Sequence, residues 1–183
     1  MDVKKKELAA SIQEPLCKYV AENCLETILN CLVLLDQKDQ KLGANTVFLR
    51  AILNSDLMEA TSVKCAHQKL AQVAAKPFEE GQGKLMEHPA FHQLIKKVIS
   101  HDKERSKVSE SFTFSQLFWE EIKTQDSLES LLSCNRGAFV LVCMLEAEVD
   151  HVAKELKAAL KKKEKAVKKF QSKGLEILFK KIG

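Results

Sequence analysis

Residues 135–146 read Asn-Arg-Gly-Ala-Phe-Val-Leu-Val-Cys-Met-Leu-Glu, and the fold class can be argued outward from this stretch. A polar start, with Asn135 as the expected helix cap, leads into an apolar run about three helical turns long. A helix that is apolar on nearly every side cannot lie on a protein surface, because neighbouring elements must cover it. The stretch therefore predicts a buried helix at the centre of a helical domain.

Three other segments share the pattern of 137–145, namely 45–53, 91–99 and 174–182. Each opens with a residue that can start a helix and has apolar residues at its fourth, fifth and ninth positions, which recur on one helical face. The four segments begin at residues 45, 91, 137 and 174, and this near-regular spacing is typical of stacked helical repeats. Four apolar helices in an all-helical chain would also show some agreement by chance.

The predicted architecture is an all-α, right-handed α-solenoid without a sheet, formed by one repeat domain over 1–183. Its approximate units are 1–55, 56–102, 103–148 and 149–183. The composition agrees, because 183 residues include only 3 Pro and 6 Gly, with 45% hydrophobic and 30% charged residues. The chain has no signal-peptide pattern and no apolar run long enough to span a membrane, so an intracellular protein is expected.

Local signals place several helix ends. Thr113 and Gln116 have the spacing of a capping box, and Pro89 fits the first turn of a helix that ends near 101. Residues 102–110 read as a charged linker of mixed sign. A long helix is expected over about 149–170, amphipathic at its start and rich in lysine at its end. After it, residues 172–174 restart the chain into the last repeat helix.

Catalysis, metal binding and cofactors find little support. The five histidines are scattered, with no nearby Ser or Cys in a strand–turn setting that would expose a nucleophile, so no enzymatic activity is expected. Residues 81–83 lack the rest of a glycine-rich phosphate loop. The six cysteines form no C-x-x-C pair, so small buried side chains in a reducing compartment explain them better than a zinc site: Cys17, Cys24, Cys31, Cys65, Cys134 and Cys143.

Four phrases carry a resemblance to a known family: 87–92 (Glu-His-Pro-Ala-Phe-His), 96–103, 135–138 (Asn-Arg-Gly-Ala) and 172–178 (Ser-Lys-Gly-Leu-Glu-Ile-Leu). With them the chain resembles the C-terminal part of the Puf-A and Penguin class of Pumilio-like nucleolar proteins. The resemblance implies Pumilio-type (armadillo-like) repeats and binding of RNA or DNA without marked sequence preference. It also implies a nuclear, nucleolar location and a role in ribosome biogenesis or RNA regulation, including translation. Family members carry further repeats on the N-terminal side, so a fragment is expected.

Base-reading Pumilio repeats present two polar edge-readers around a stacking side chain. Alignment of the four helices puts the corresponding trios at Thr46, Val47, Arg50; His92, Gln93, Lys96; Ala138, Phe139, Val142; and Leu175, Glu176, Phe179. Only the second trio is polar throughout, which leaves His92 and Gln93 as candidate base-edge contacts. Sequence-coded readout by this segment is therefore not expected.

Basic clusters are the stronger signal, on a chain of net charge +4. Ammonium and guanidinium groups that neutralise phosphates bind nucleic acid without reading its sequence. The residues predicted to do so are Lys96, Lys97, Lys103, Arg105, Lys107, Arg136, Lys161, Lys162, Lys163, Lys165, Lys168, Lys169 and Lys173. A solvated helix face or a nuclear-localisation-like basic run would explain the same lysines.

Two functions of different classes remain open from the sequence. The first is a nucleic-acid-binding module that acts through these basic residues on the RNA or DNA backbone. The second is a protein interaction scaffold that docks ribosome-assembly or other nuclear proteins without touching nucleic acid. No membrane, small-molecule or cofactor partner is expected in either case.

Overall fold

The structure is a computed structural model and describes residues 60–77, 85–107, 112–167 and 169–183; the side chains of 60–62 are not included. The chain divides into two compact units, Met1–Leu70 and Ala71–Gly183. The expectation of one repeat domain, with units at 1–55, 56–102, 103–148 and 149–183, stays a prediction. The repeat segment 45–53, its trio and the cysteines before residue 60 lie outside the described residues.

Every regular element in the described ranges is helical. The helices are α1 (Ala60–Ala74), α2 (Pro89–Ser100), α3 (Asp102–Arg105), α4 (Phe114–Thr124), α5 (Leu128–Leu132), α6 (Asn135–Glu146), α7 (Asp150–Val167) and α8 (Lys173–Ile182). A 3₁₀ turn, Leu85–Glu87, precedes α2. The all-α class is therefore as the sequence predicts for the part of the chain that can be described.

The predicted central helix is central in the structure. α6 packs against α2, α5, α7 and α8 and against the 3₁₀ turn. Its Val140, Leu141 and Met144 are completely buried, and each such side chain contributes roughly 2 kcal/mol to the free energy of unfolding. α4 supplies the adjoining part of the core, where the rings of Phe114 and Phe118 stack with their centroids 5.6 Å apart.

The predicted helix starts are confirmed where the capping contact is local. Thr113 and Gln116 form the reciprocal capping box at the start of α4, with N···O distances of 3.3 and 3.0 Å. Pro89 occupies the first turn of α2, and the Nδ1 atom of His88 accepts a hydrogen bond from the backbone N–H of Ala90. Ser172 caps α8 by accepting from the backbone N–H of Leu175.

The cap of α6 differs from the prediction. Cys134, and not Asn135, is the N-cap, and its Sγ atom accepts a hydrogen bond from the backbone N–H of Gly137 at 3.1 Å. The Asn135 side chain instead reaches a different helix, where its Oδ1 atom accepts from the backbone N–H of Gly174 at 2.9 Å. One side chain thereby satisfies an otherwise unpaired donor in the first turn of α8 and joins that helix to α6.

The predicted charged linker at 102–110 is corrected in its first half. Residues 102–105 form α3, and Asp102 is completely buried. Its carboxylate accepts hydrogen bonds from the backbone N–H groups of Phe114 and Ser115, at 2.8 and 2.7 Å. Burial raises the pKa of Asp102, and the bonds from Ser115 and Phe114 oppose that rise. The physical reason for the error is that this carboxylate caps α4 from twelve residues away in sequence.

The long helix α7 begins at Asp150 and ends at Val167, three residues before the predicted end. Its buried stripe consists of Val152, Leu156, Leu160 and Val167, and the lysines of residues 161–165 lie between the last two of these positions. The turns before α5 and α7 each use a non-glycine residue with a positive φ, Asp126 at 46° and Glu148 at 55°. Such residues reverse the chain direction between consecutive helices.

Candidate nucleic-acid interface

The first group of predicted basic residues, the α7 cluster, comprises Lys161, Lys162, Lys163, Lys165 and Lys169. Because the apolar stripe of α7 occupies only one face, the lysines of its last two turns lie mostly on the solvent side. Lys161, Lys162 and Lys165 are exposed and make no ion pair with any residue in the described ranges. Lys168 lies outside those ranges, and Lys173 is exposed at the start of α8.

A single carboxylate ties the other two members of the α7 cluster to α5. Glu129 lies 3.6 Å from the Nζ atom of Lys163 and 3.3 Å from that of Lys169. All three side chains are at least one-third exposed, so each pair contributes at most about 1 kcal/mol and a phosphate can displace it. The ammonium of Lys169 also lies 4.9 Å from the centroid of the Phe170 ring.

The second group, the α2–α3 cluster, comprises Lys96, Lys97, Lys103, Arg105 and Lys107. Three of its members make contacts with other residues of the same chain. Lys103 pairs with Glu148 at 2.9 Å, Lys107 pairs with Glu104 at 3.1 Å, and the Arg105 guanidinium lies 5.7 Å from the Phe112 ring centroid. Lys97 is exposed and Lys96 is half-buried. This cluster therefore offers less uncommitted charge than the α7 cluster.

Cations from two helices lie near the middle of α6. Cys143 is half-buried there, and burial raises the pKa of its thiol, with Lys96 of α2 and Lys181 of α8 opposing that rise. Lys181 also pairs with Glu146, one turn further along α6, at 2.9 Å. Phe139, one turn before Cys143, is half-buried. The helices α2, α6 and α8 thus bring a partly accessible aromatic ring and two ammonium groups onto neighbouring turns.

Arg136 contacts the segment before α2. Its Nε atom lies 3.6 Å from a carboxylate oxygen of Glu87. The backbone N–H of Arg136 also points at the other oxygen of that carboxylate, at 3.5 Å. About one-third of the Arg136 side chain is exposed, so the guanidinium is only partly available for a phosphate.

His92, a candidate base-edge contact from the sequence, is buried in the structure. The residue is 6% exposed, and neither ring nitrogen has a hydrogen-bond partner among the described residues. Burial, followed by the charges of Lys96 and Arg136, lowers the pKa of His92 to about 4, and Glu87 opposes this. A buried neutral ring does not present an edge to a base. Gln93, the other candidate, is exposed, and its base contact stays a prediction.

The remaining described trios are as expected from the sequence. Ala138 and Val142 are buried at 0% and 4% exposure and offer no hydrogen bond to a base edge. Leu175 is buried as well, whereas Glu176 is exposed and carries a charge that repels phosphates. Neither of these two trios presents two accessible polar side chains.

Sequence reasoning missed Glu129, the residue that organises the α7 cluster. It reads locally as an acidic residue in the first turn of a short helix, which is a common stabilising position. Its partners lie 34 and 40 residues later, so only the packing of α5 beside α7 reveals the connection. No signal in a single sequence marks it.

Neither a metal site nor a membrane span is found in the part of the chain that the structure describes. No three His, Cys, Asp or Glu side chains there are grouped so that they could hold a metal ion. No described helix combines the length and the apolar character needed to cross a bilayer.

Comparison with protein families and curated proteins places the chain among known sequences. The family described as the CPL (NUC119) domain matches residues 1–111. Pumilio homolog 3 from Homo sapiens is 30% identical over 99% of this chain, and the Danio rerio protein is 27% identical over 98%. The chain spans about a quarter of these relatives, 26% and 27% of their lengths respectively.

Two solved structures are similar over 98% of the chain. The crystal structure of human Puf-A matches with a TM-score of 0.70 at 30% identity, and this chain covers 32% of it. The crystal structure of human Puf-A in complex with DNA matches with a TM-score of 0.66 at 28% identity, with 31% covered. These matches confirm the predicted resemblance and the Pumilio-like helical solenoid class.

Proposed function

The chain belongs to the CPL (NUC119) domain family, and on that premise we propose that it binds the RNA or DNA backbone without reading its sequence. The observation that carries the proposal is the α7 cluster, in which Lys161, Lys162 and Lys165 are exposed and have no ion-pair partner in the described ranges. Uncompensated ammonium groups on consecutive turns attract phosphates and release the counterions condensed on nucleic acid.

The geometry favours contact with the backbone over contact with the bases. Base-edge recognition needs accessible polar side chains at fixed positions, whereas Ala138 and Val142 are buried and apolar. Lysine ammonium groups are point charges on flexible stems and contact phosphates without a fixed orientation. The similar human protein has been solved with DNA, which supports nucleic acid as the class of partner.

The cellular setting is part of the same proposal. We place the chain in the nucleus and nucleolus, as a segment of a longer Pumilio-like protein that acts in ribosome biogenesis or RNA regulation. The family description and the similarity to Pumilio homolog 3 support this placement. Fluorescence microscopy of the tagged chain tests it, and a uniform cytoplasmic signal would contradict it.

Binding is tested by fluorescence polarisation with labelled single-stranded and duplex oligonucleotides of several sequences. The full chain should bind all of them with similar affinity, and more weakly at about 200 mM than at about 50 mM salt. The double variant Lys161→Glu, Lys165→Glu should weaken binding to every oligonucleotide. It should also weaken the salt dependence. The slope of log affinity against log salt concentration should fall in magnitude by about one unit for each phosphate that the variant no longer neutralises.

The matched control is Lys154→Glu, Lys157→Glu. Both residues are exposed on α7 and lie outside the set of basic residues predicted to bind nucleic acid. Their substitution changes the net charge by the same amount as the test variant. The control should bind within about twofold of the unaltered chain, because reversing charges away from the binding surface alters only a screened long-range field. Equal losses of affinity in the two double variants would show that overall charge, and not the α7 cluster, governs binding. Absence of binding at low salt would refute the proposal for this chain.

A further inference from the structure

A groove of about 440 Å³ lies along α4, α5 and α7, within the range of roughly 300–1,000 Å³ typical of binding sites. Its apolar lining comes from Trp119 and Ile122 of α4 and from Leu128 at the start of α5. On the α7 side the lining is Ala158 and Ala159, whose short side chains leave the space open. The groove thus combines an apolar floor with room for large side chains.

The floor of this groove is held in place before anything binds. The indole N–H of Trp119 donates a 2.7 Å hydrogen bond to Glu155 of α7. The ammonium of Lys123 bonds the same Glu155 oxygen at 3.0 Å and lies 5.8 Å from the centroid of the Trp119 ring. These contacts fix the ring and the distance between α4 and α7, so a ligand would lose little free energy in ordering the site.

The charges at the rim are distributed unevenly. Glu155 pairs with Lys123, which also pairs with Glu120 at 2.8 Å, and the neighbouring Lys163 is paired with Glu129. Lys162 lines the groove, is exposed and has no ion-pair partner in the described ranges. Asp126, also exposed, lines it from the turn between α4 and α5. A ligand with a carboxylate is therefore attracted by Lys162 and repelled by Asp126, which gives it a preferred direction.

We propose that this groove docks a segment of a partner protein, an amphipathic peptide with apolar anchor residues followed by acidic ones. The anchors lie over Trp119, Ile122 and Leu128, and the acidic residues pair with Lys162. A nucleic-acid backbone would use the lysines alone and would gain nothing from the apolar floor. The site goes beyond the proposed nucleic-acid binding: the two share Lys162 and Lys163, and the apolar part of the groove belongs to this site alone.

The test uses a short labelled helical peptide with two leucines one turn apart followed by glutamates. Two control peptides carry serine in place of leucine, or lysine in place of glutamate. Binding to the full chain is followed by polarisation and by the emission of Trp119, which is the only tryptophan in the sequence. The leucine–glutamate peptide should bind and change the emission, and each control peptide should bind at least about tenfold more weakly, because hydrophobic anchors and charge both contribute.

Three variants localise the binding. Lys162→Glu should lower the affinity for the peptide by about tenfold, because it reverses one charge close to the acidic residues of the peptide. Ala158→Phe should abolish peptide binding, because the larger side chain fills the groove. Lys154→Glu is the matched control: Lys154 is exposed on the same helix and lies outside both the groove and the predicted nucleic-acid-binding set, and the variant should stay within about twofold. Far-UV circular dichroism verifies the helical content of each variant. If Ala158→Phe misfolds, the two lysine variants and the control peptides still test whether the peptide binds in the groove.

Three results would overturn the proposal. The first is equal binding of the serine and leucine peptides, which would show that the apolar floor is not used. The second is an equal loss of affinity in Lys154→Glu and Lys162→Glu, which would show diffuse charge attraction. The third is displacement of the peptide by a DNA oligonucleotide whose own affinity falls in Ala158→Phe, which would assign the groove to nucleic acid.

Discussion

The Oγ atom of Ser115 donates a 2.6 Å hydrogen bond to the buried carboxylate of Asp102, thirteen residues earlier in the chain. The same carboxylate accepts from the backbone N–H groups of Phe114 and Ser115. Three donors at the start of α4 therefore depend on one side chain from α3. The contact joins the repeat helix α2, which α3 follows directly, to the next helical segment.

Asp102→Ala should lower the free energy of unfolding by about 3 kcal/mol, because it leaves buried donors at a helix N-terminus without an acceptor. Ser115→Ala, which removes only the hydroxyl, should cost about 1 kcal/mol. Urea denaturation followed by circular dichroism measures both. A decrease below about 0.5 kcal/mol for Asp102→Ala would mean that water satisfies these donors.

Acid should destabilise the protein through His92. Its pKa is about 4 in the folded chain and about 6.5 when unfolded, so between these values the unfolded state binds more protons. Stability therefore falls as pH decreases from 6.5 to 4, by up to about 3 kcal/mol from this group. His88, whose pKa is lowered by burial and by Arg136, acts in the same direction.

His92→Phe should remove most of this pH dependence, because a ring of similar size fills the site without a charge. Denaturation midpoints at pH 7 and pH 5 give the comparison. Replacement of the exposed His101 by Phe is the control and should leave the dependence in place. If His92→Phe retains the full dependence, the acid sensitivity originates elsewhere.

Gly174→Ala should destabilise the packing of α8 on α6 by about 1–3 kcal/mol. An added Cβ would lie 2.5 Å from the carbonyl oxygen of Asn135 and 3.0 Å from the Cβ of Ala138, so the two helices would have to separate. Gly183→Ala is the matched control, since its Cβ would lie 3.5 Å from the nearest atom. Thermal denaturation should separate the two variants, and equal midpoints would contradict the close approach.

Glu129→Gln should strengthen nucleic-acid binding by about threefold at low salt. The change releases Lys163 and Lys169 from their carboxylate partner and removes one negative charge beside the α7 cluster. Stability should change little, because the pairs are exposed. Glu120→Gln makes the same change in charge but leaves Lys123 paired with Glu155, so it is the control for charge, and polarisation titrations compare the two variants. A similar increase in affinity in both variants would leave Glu129 without a specific role.

The features that could be predicted from the sequence depend on contacts between residues close together in the chain. The capping box of Thr113 and Gln116, the first-turn Pro89 and the Ser172 cap all depend on contacts within three residues, so their spacing in the sequence is sufficient. The buried face of α6 and the polar faces of α7 follow from helical periodicity for the same reason. The basic residues of the candidate site were predicted because the sequence shows where lysine and arginine are concentrated. The sequence does not show which carboxylates pair with them.

The sequence alone determined the helical class, most helix ends, the buried helix 135–146 and the excess of lysine near the end of α7. Tertiary structure alone decided which lysines are paired, since Lys163 and Lys169 share Glu129, whereas Lys161, Lys162 and Lys165 are exposed and make no ion pair within the described ranges. It also decided that His92 is buried and that Asn135 caps α8. The physical reason is range: backbone periodicity and caps act over one helical turn, whereas desolvation and ion pairing depend on which helices lie side by side.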